Sequence, residues 1–241
     1  MKTQTRKNDR SPGLEQWLRA WKELMTYTGS RVPNPEKRIK EMIALWQKEI
    51  PGKWQREDLP RNLIGYRRKP DGNKPTPEHE LEKELFAAAR KGALKMDGYE
   101  YVDLVTCAFP LARWRTVEAD LIAIAGRKGA TEVLLIEAKD KANNAWYAVG
   151  ENLIQLKLFQ GNPLVNLAYL KESRPTLSES SPPTTGLVIA PPDFFGQSGK
   201  KANSKQPAFD LLTEFGQQLG VTVLLGVWQK KVSTIEVLSP G

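Results

Sequence analysis

Leu14, Trp17, Leu18, Trp21, Leu24 and Met25 recur at helical spacing, which puts them on one stripe and leaves Arg19, Lys22 and Glu23 on other faces. Pro33 and Pro35 break that pattern. Pro35 then suits the first turn of a second helix with the stripe Ile39, Ile43, Trp46 and Ile50, closed by Pro51 and Gly52. The pair predicts an α-hairpin with three tryptophans between its helices. Tryptophans at such spacing read first as core, with base stacking the lesser reading. Beyond the hairpin, residues 53–76 are basic and broken by Pro70, Gly72 and Pro75, the pattern of a linker or a nucleic-acid arm.

The period then changes. Thr76 followed by Pro77 is a helix start, with threonine as cap and proline in the first turn, and the helix is expected to reach about residue 91. Residues 101–109 read as a strand, followed by a turn over 110–115. Residues 118–125 and 131–138 read as two further strands, joined through 126–129 closely enough for a hairpin. Asn143 or Asn144 caps a helix to about residue 160, with Tyr147, Ile154 and Leu158 on one stripe. A polar segment, 171–185, carries four serines and three prolines and is expected to be mobile. A buried strand at 186–190, a helix at 207–219, a strand at 221–228 and an edge strand at 233–238 complete an α/β pattern. The resulting division is a tail at 1–13, a helical hairpin domain at 14–52, the basic linker, and an α/β domain at 77–241.

Charge adds an asymmetry to this picture. Residues 1–76 hold 18 Lys and Arg against 9 Asp and Glu, whereas residues 77–241 hold 18 against 19, within a chain of net charge +8. A basic amino-terminal third on a near-neutral body suits a polyanionic partner such as nucleic acid, the other readings being a solvated basic surface or a docking arm for an acidic protein. No apolar run approaches the roughly 20 residues of a bilayer span, and the basic residues at the amino terminus have no apolar stretch behind them, so neither a membrane span nor a signal peptide is predicted. The one cysteine, Cys107, sits in an apolar run and reads as a buried thiol, with the cytoplasm as the expected compartment. A single histidine, His79, argues against serine–histidine triads and histidine-rich zinc sites.

The chemistry gathers at two strand ends. Residues 131–141, TEVLLIEAKDK, form an aliphatic strand that finishes in Glu137, Ala138 and Lys139, and the preceding strand opens with Glu118, Ala119 and Asp120. Residues two apart on a strand lie on one face, about 6.6 Å apart. Bringing Asp120 beside Glu137 and Lys139 would collect two anions and one cation at one point. Two carboxylates brought together repel and raise each other's pKa unless a hard cation joins them. An ordinary edge ion pair between Glu137 and Lys139, worth roughly 0–1 kcal/mol, is the alternative reading.

The order helix, strand, strand with Asp120, strand with Glu137 and Lys139, helix, strand resembles the PD-(D/E)XK nuclease superfamily, over residues 77 to about 228. Ala119 stands where the family name has proline. Gln155, Leu156 and Phe159 are similar to the Gln-Leu-x-x-Tyr element of its RecB-like branch, with phenylalanine in place of tyrosine. The resemblance implies a restriction-endonuclease-like central mixed sheet flanked by helices. It further implies a Mg²⁺- or Mn²⁺-dependent endonuclease acting on nucleic acid, usually DNA. Asp120, Glu137 and the Ala138 carbonyl would hold the metal, with Lys139 beside the attacking water or the developing phosphate charge. Gln155 would contact the backbone or fix Lys139. A further carboxylate is implied from the helix at 77–91. That helix resembles its counterpart in archaeal Holliday-junction resolvases, since Glu78 stands three residues before Leu81 and seven before Leu85; Glu82 is the second choice.

Nucleic-acid contacts are expected from Arg113 and Arg115 in the turn before the Asp120 strand, from Lys200 and Lys201, and from Arg67, Arg68 and Lys69 in the linker. Cutting both strands would call for a homodimer or paired action. A non-catalytic nucleic-acid-binding protein of the same fold, or a nuclease subunit recruited through its amino-terminal helices, are the other readings.

Overall fold

The protein is described here by a computed structural model covering residues 11–28, 31–55, 76–112, 117–140, 144–173, 182–195 and 205–238. Its helices are α1 (Pro12–Met25), α2 (Pro35–Gln47), α3 (Pro77–Arg90), α4 (Ala145–Gln160), α5 (Pro163–Ser173) and α6 (Lys205–Leu219). Its strands are β1 (Lys95–Met96), β2 (Tyr101–Pro110), β3 (Glu118–Arg127), β4 (Ala130–Ala138), β5 (Thr184–Ala190), β6 (Val223–Gln229) and β7 (Thr234–Leu238). They form one mixed sheet in the order β1-β7-β6-β5-β4-β3-β2. The chain is therefore α/β.

The first half of the sheet is a meander and the second half a crossover. β2 pairs with β3, and β3 with β4, in antiparallel fashion. The β3–β4 turn is carried by Lys128 and Gly129, both with positive φ (51° and 73°), the two-residue geometry whose twist matches that of paired strands. β4, β5 and β6 then pair in parallel, which requires the intervening helices to cross over the sheet. β4 lies between β3 and β5 and is covered on both faces, the reason its aliphatic run is uninterrupted.

Two cores sandwich the sheet. On one face, Val133 and Leu135 of β4 and Ile122 and Ile124 of β3 pack beneath α4 and α6. On the other, Leu134, Ile136, Leu121 and Ala123 pack with Leu81, Leu85 and Phe86 of α3. This alternation decides the site, because Asp120 and Glu137 continue the first of these faces toward the strand ends.

The amino-terminal hairpin shares the first core. Trp21 is fully buried, stacked on Trp17 with ring centroids 5.2 Å apart and edge-on to Phe215 of α6 at 6.2 Å. Its indole N–H donates to the Gly150 carbonyl of α4 at 3.0 Å. α1 comes this close because Gly150 has no side chain; a Cβ there would collide with Met25. The hairpin set apart at 14–52 is thus packed into the core of the α/β body, and its tryptophans are core. Trp54, also buried, extends the same cluster past residue 52.

Several elements differ from the sequence expectation. α1 begins at Pro12, and α2 ends at Gln47, with Ile50 buried beyond the helix. β1 and α5 were not expected: β1 is only two residues long, and α5 follows α4 after Gly161 and Asn162. β7 is flanked by β1 in parallel pairing, Lys95 against Thr234 and Met96 against Ile235, so the expected edge strand is covered there. Of the expected mobile segment 171–185, the ends are ordered as α5 and β5, and 174–181 lie outside the described residues. The expected caps Thr76 and Asn144 accept the N–H groups of His79 (3.3 Å) and Tyr147 (2.6 Å). No described helix is long and apolar enough to cross a membrane.

Candidate active site

The site lies where two strands part. β3 and β4 pair residue for residue up to Leu121 opposite Ile136, while β3 continues alongside β2 through Ala119 and Glu118. The Ala138 N–H, two residues past the last pair, donates instead to the Asp120 carboxylate at 3.0 Å. The gap at this seam is closed from above by α4.

Gln155 is the clasp. Its side-chain N–H₂ donates to the Glu118 carbonyl at 3.2 Å and to the Glu137 carboxylate in a short hydrogen bond. Its carbonyl oxygen accepts from the Asn152 amide at 3.2 Å, and that amide also donates to the Leu135 carbonyl at 2.9 Å. Asn152 is fully buried and Gln155 nearly so. Each donor is thereby satisfied, and the rotamer of Glu137 is set by a chain running from β4 through α4 and back.

Lys139 occupies the other side of Glu137. Its ammonium lies 2.5 Å from Glu137, 2.9 Å from Glu151 of α4 and 3.8 Å from Glu78 of α3. Its backbone N–H bonds the Ile189 carbonyl of β5 at 2.8 Å, which anchors the strand end. A cavity of about 280 Å³ opens over this group, lined by Glu118, Asp120, Glu137, Lys139, Glu151 and Gln155, with Leu18 and Lys22 of α1 in its wall.

Burial and charge act in opposite directions here. Burial pushes the Glu137 carboxyl well above the usual glutamate value and the nearby Asp120 charge adds to this, while Lys139 pulls it back. Burial works to lower Lys139, but the Glu137 and Glu151 charges outweigh it and hold the ammonium well above the usual lysine value. Tyr147, one turn before Glu151, has its phenol raised by burial and then by the Glu151 charge.

Asp120, Glu137, Lys139 and Gln155 are thus brought together, as the sequence leads one to expect. Glu78 is placed differently: it meets Lys139 and does not line the cavity. Glu82 is buried within α3. Among the described residues no group of three or more His, Cys, Asp or Glu is arranged to hold a metal ion, so the third carboxylate expected from α3 does not join Asp120 and Glu137. The expected donors that line the cavity are therefore the two carboxylates of Asp120 and Glu137, while Ala138 is not among the lining residues. That set fits Mg²⁺, which keeps several waters and takes one or two carboxylates together with substrate phosphate oxygens. Arg67, Arg68, Lys69, Arg113, Arg115, Lys200 and Lys201 lie outside the described residues.

Glu151, Asn152, Tyr147 and Lys22 were not foreseen. The signal for two of them was present: Tyr147, Glu151 and Gln155 fall four residues apart, a polar stripe on a helix otherwise rich in apolar residues. No family model matches the chain, nor does any curated protein or solved structure.

Proposed function

We propose that the protein is a divalent-metal-dependent nuclease that hydrolyses phosphodiester bonds in DNA. The reading is carried by one observation: Asp120, Glu137 and Lys139 converge on one sheet face and line a single cavity at the point where β3 and β4 separate. Apart from the short β1 after α3 and α5 after α4, the order α3, β2, β3, β4, α4, β5 is the one in which the chain resembles the PD-(D/E)XK superfamily, and it supports a restriction-endonuclease-like core.

In this reading Asp120, Glu137 and the Ala138 carbonyl would hold Mg²⁺ or Mn²⁺. The bound ion would lower the pKa of a coordinated water and polarise the scissile phosphate. The chain's own groups do the rest. Gln155 holds one Glu137 oxygen and the Ala138 N–H holds Asp120, so neither carboxylate must be ordered when substrate arrives. Lys139 remains an ammonium and so acts as a donor and not as a base; it offsets charge developing on the phosphate oxygens. Glu151 and Glu137 together keep Lys139 in place.

A second reading rests on Lys139 itself, which already compensates the carboxylates around it. Such a site could be structural, within a non-catalytic nucleic-acid-binding protein. Supercoiled plasmid incubated with Mg²⁺ separates the two. Nicking or linearisation lost by more than about 100-fold in Asp120→Asn and in Lys139→Met supports the nuclease. An uncut plasmid, or cutting that persists in both variants, refutes it.

A further inference from the structure

The cavity over Asp120 and Glu137 is walled on one side by α1, an element outside the span in which the chain resembles a nuclease. Leu18 and Lys22, four residues apart on that helix, both face the cavity. Their position is set from behind. Trp17 donates to the Leu45 carbonyl of α2 at 3.2 Å, and Trp21, next to Lys22, donates to Gly150 on the helix that supplies Glu151 and Gln155. α1 and the acidic cluster are therefore parts of one packed unit, not a module tethered to another.

The charges of the cavity explain what a cation in that wall could do. Glu118, Asp120, Glu137 and Glu151 line it, and Lys139 is engaged by Glu137 and Glu151. A nucleic-acid phosphate approaching this rim would meet mostly negative charge. Three other basic side chains of the hairpin are committed: Arg19 pairs with Glu23, Lys37 pairs with Glu41, and Arg38 caps the last carbonyls of α1. Lys22 is exposed and forms no ion pair with a described residue. A flexible stem ending in three donors, fixed at its root and directed to the cavity, suits a phosphate oxygen.

We infer that Lys22 binds a substrate phosphate beside the one cleaved, so that the amino-terminal hairpin forms part of the substrate site. This rests on the nuclease reading above. Lys22 touches substrate in the ground state as much as later, so its loss should raise KM and leave kcat nearly unchanged.

The experiment compares wild type, Lys22→Met and Lys22→Arg in two measurements: cutting of a duplex oligonucleotide with Mg²⁺, and binding of the same duplex in metal-free buffer over a range of salt. The expected result is a KM raised about five- to tenfold in Lys22→Met, with kcat within about twofold and recovery in Lys22→Arg. The slope of log affinity against log salt should fall in magnitude by about 0.9, one phosphate contact. If wild type cuts, Asp120→Asn does not, and Lys22→Met matches wild type in KM and salt slope, the role of Lys22 is overturned while the nuclease stands. If wild type does not cut with Mg²⁺ or Mn²⁺, the nuclease reading fails and this inference with it. Equal thermal midpoints for the three proteins exclude a folding defect, as expected for an exposed side chain.

Discussion

Ala138 donates its backbone N–H to the carboxylate of Asp120, across two strands that have just ceased to pair. A side chain thus takes the place of the next rung of the ladder. The same bond that ends the β3–β4 seam positions one of the two acids, so fold and chemistry meet in a single contact.

That contact separates stability from activity. Asp120→Asn retains an acceptor oxygen for Ala138, and its thermal midpoint is expected within a few degrees of wild type. Asp120→Leu leaves the N–H without its partner and should cost about 1–3 kcal/mol. Both should lose cutting. Equal stability of the two variants would show that the bond does not hold the seam.

Asn152 offers a test of the clasp. It is fully buried and donates both to Leu135 and to Gln155, so Asn152→Ala removes that donor from the Leu135 carbonyl and from the Gln155 oxygen. Urea unfolding should show a loss of about 1–3 kcal/mol or more. Activity should fall as well, because Gln155 then no longer fixes Glu137. A variant with wild-type stability would mean that water replaces the amide at no cost.

Glu137 gives the molecule a pH signature. Its folded carboxyl titrates above its usual value of 4.5, so the protonated form is favoured by folding. The associated stability is fully present below the unfolded pKa and is lost as pH rises through the folded one. In metal-free buffer, wild type should therefore lose stability relative to Glu137→Gln as pH climbs above about 4.5. Mg²⁺ needs the carboxylate, so its stabilising effect should grow over the same interval. Thermal midpoints of the two proteins that run parallel from pH 4 to 8 would contradict the shift.

The hairpin can be tested through Trp21. Trp21→Ala removes a fully buried indole and its bond to Gly150, an expected loss of about 3–5 kcal/mol. Deleting residues 11–55 should likewise expose Phe215 and α4, giving an aggregating or molten product and not a trimmed domain. A deletion that stays folded and cooperative would restore the hairpin as an independent unit.

The legible part of the fold was the part dominated by local pattern. The period-two alternation of β3, the continuous aliphatic run of β4, and the caps at Thr76 and Asn144 each follow from neighbours in sequence. Asp120, Glu137 and Lys139 were legible because charges at the end of a doubly buried strand need a reason. Long-range packing was not legible. Nothing local tells that Gly150 admits α1, or that Trp21 and Phe215 share a core across nearly 200 residues. The contact that Glu78 makes was not legible for a related reason. Its position on the α3 wheel does not say whether its carboxylate reaches Asp120 and Glu137 or Lys139. Lys22 and Glu151 enter the site through helix packing, which a reading by strand ends could not see.

The central claim is that Asp120 and Glu137 share a dication in the cavity beneath α1 and α4. Anomalous diffraction from crystals soaked in Mn²⁺ tests it directly. The account predicts a peak between the two carboxylates, within bonding reach of the Ala138 carbonyl, and its loss in Glu137→Gln. Manganese bound only elsewhere, or no peak between the two carboxylates at saturating Mn²⁺, would contradict it.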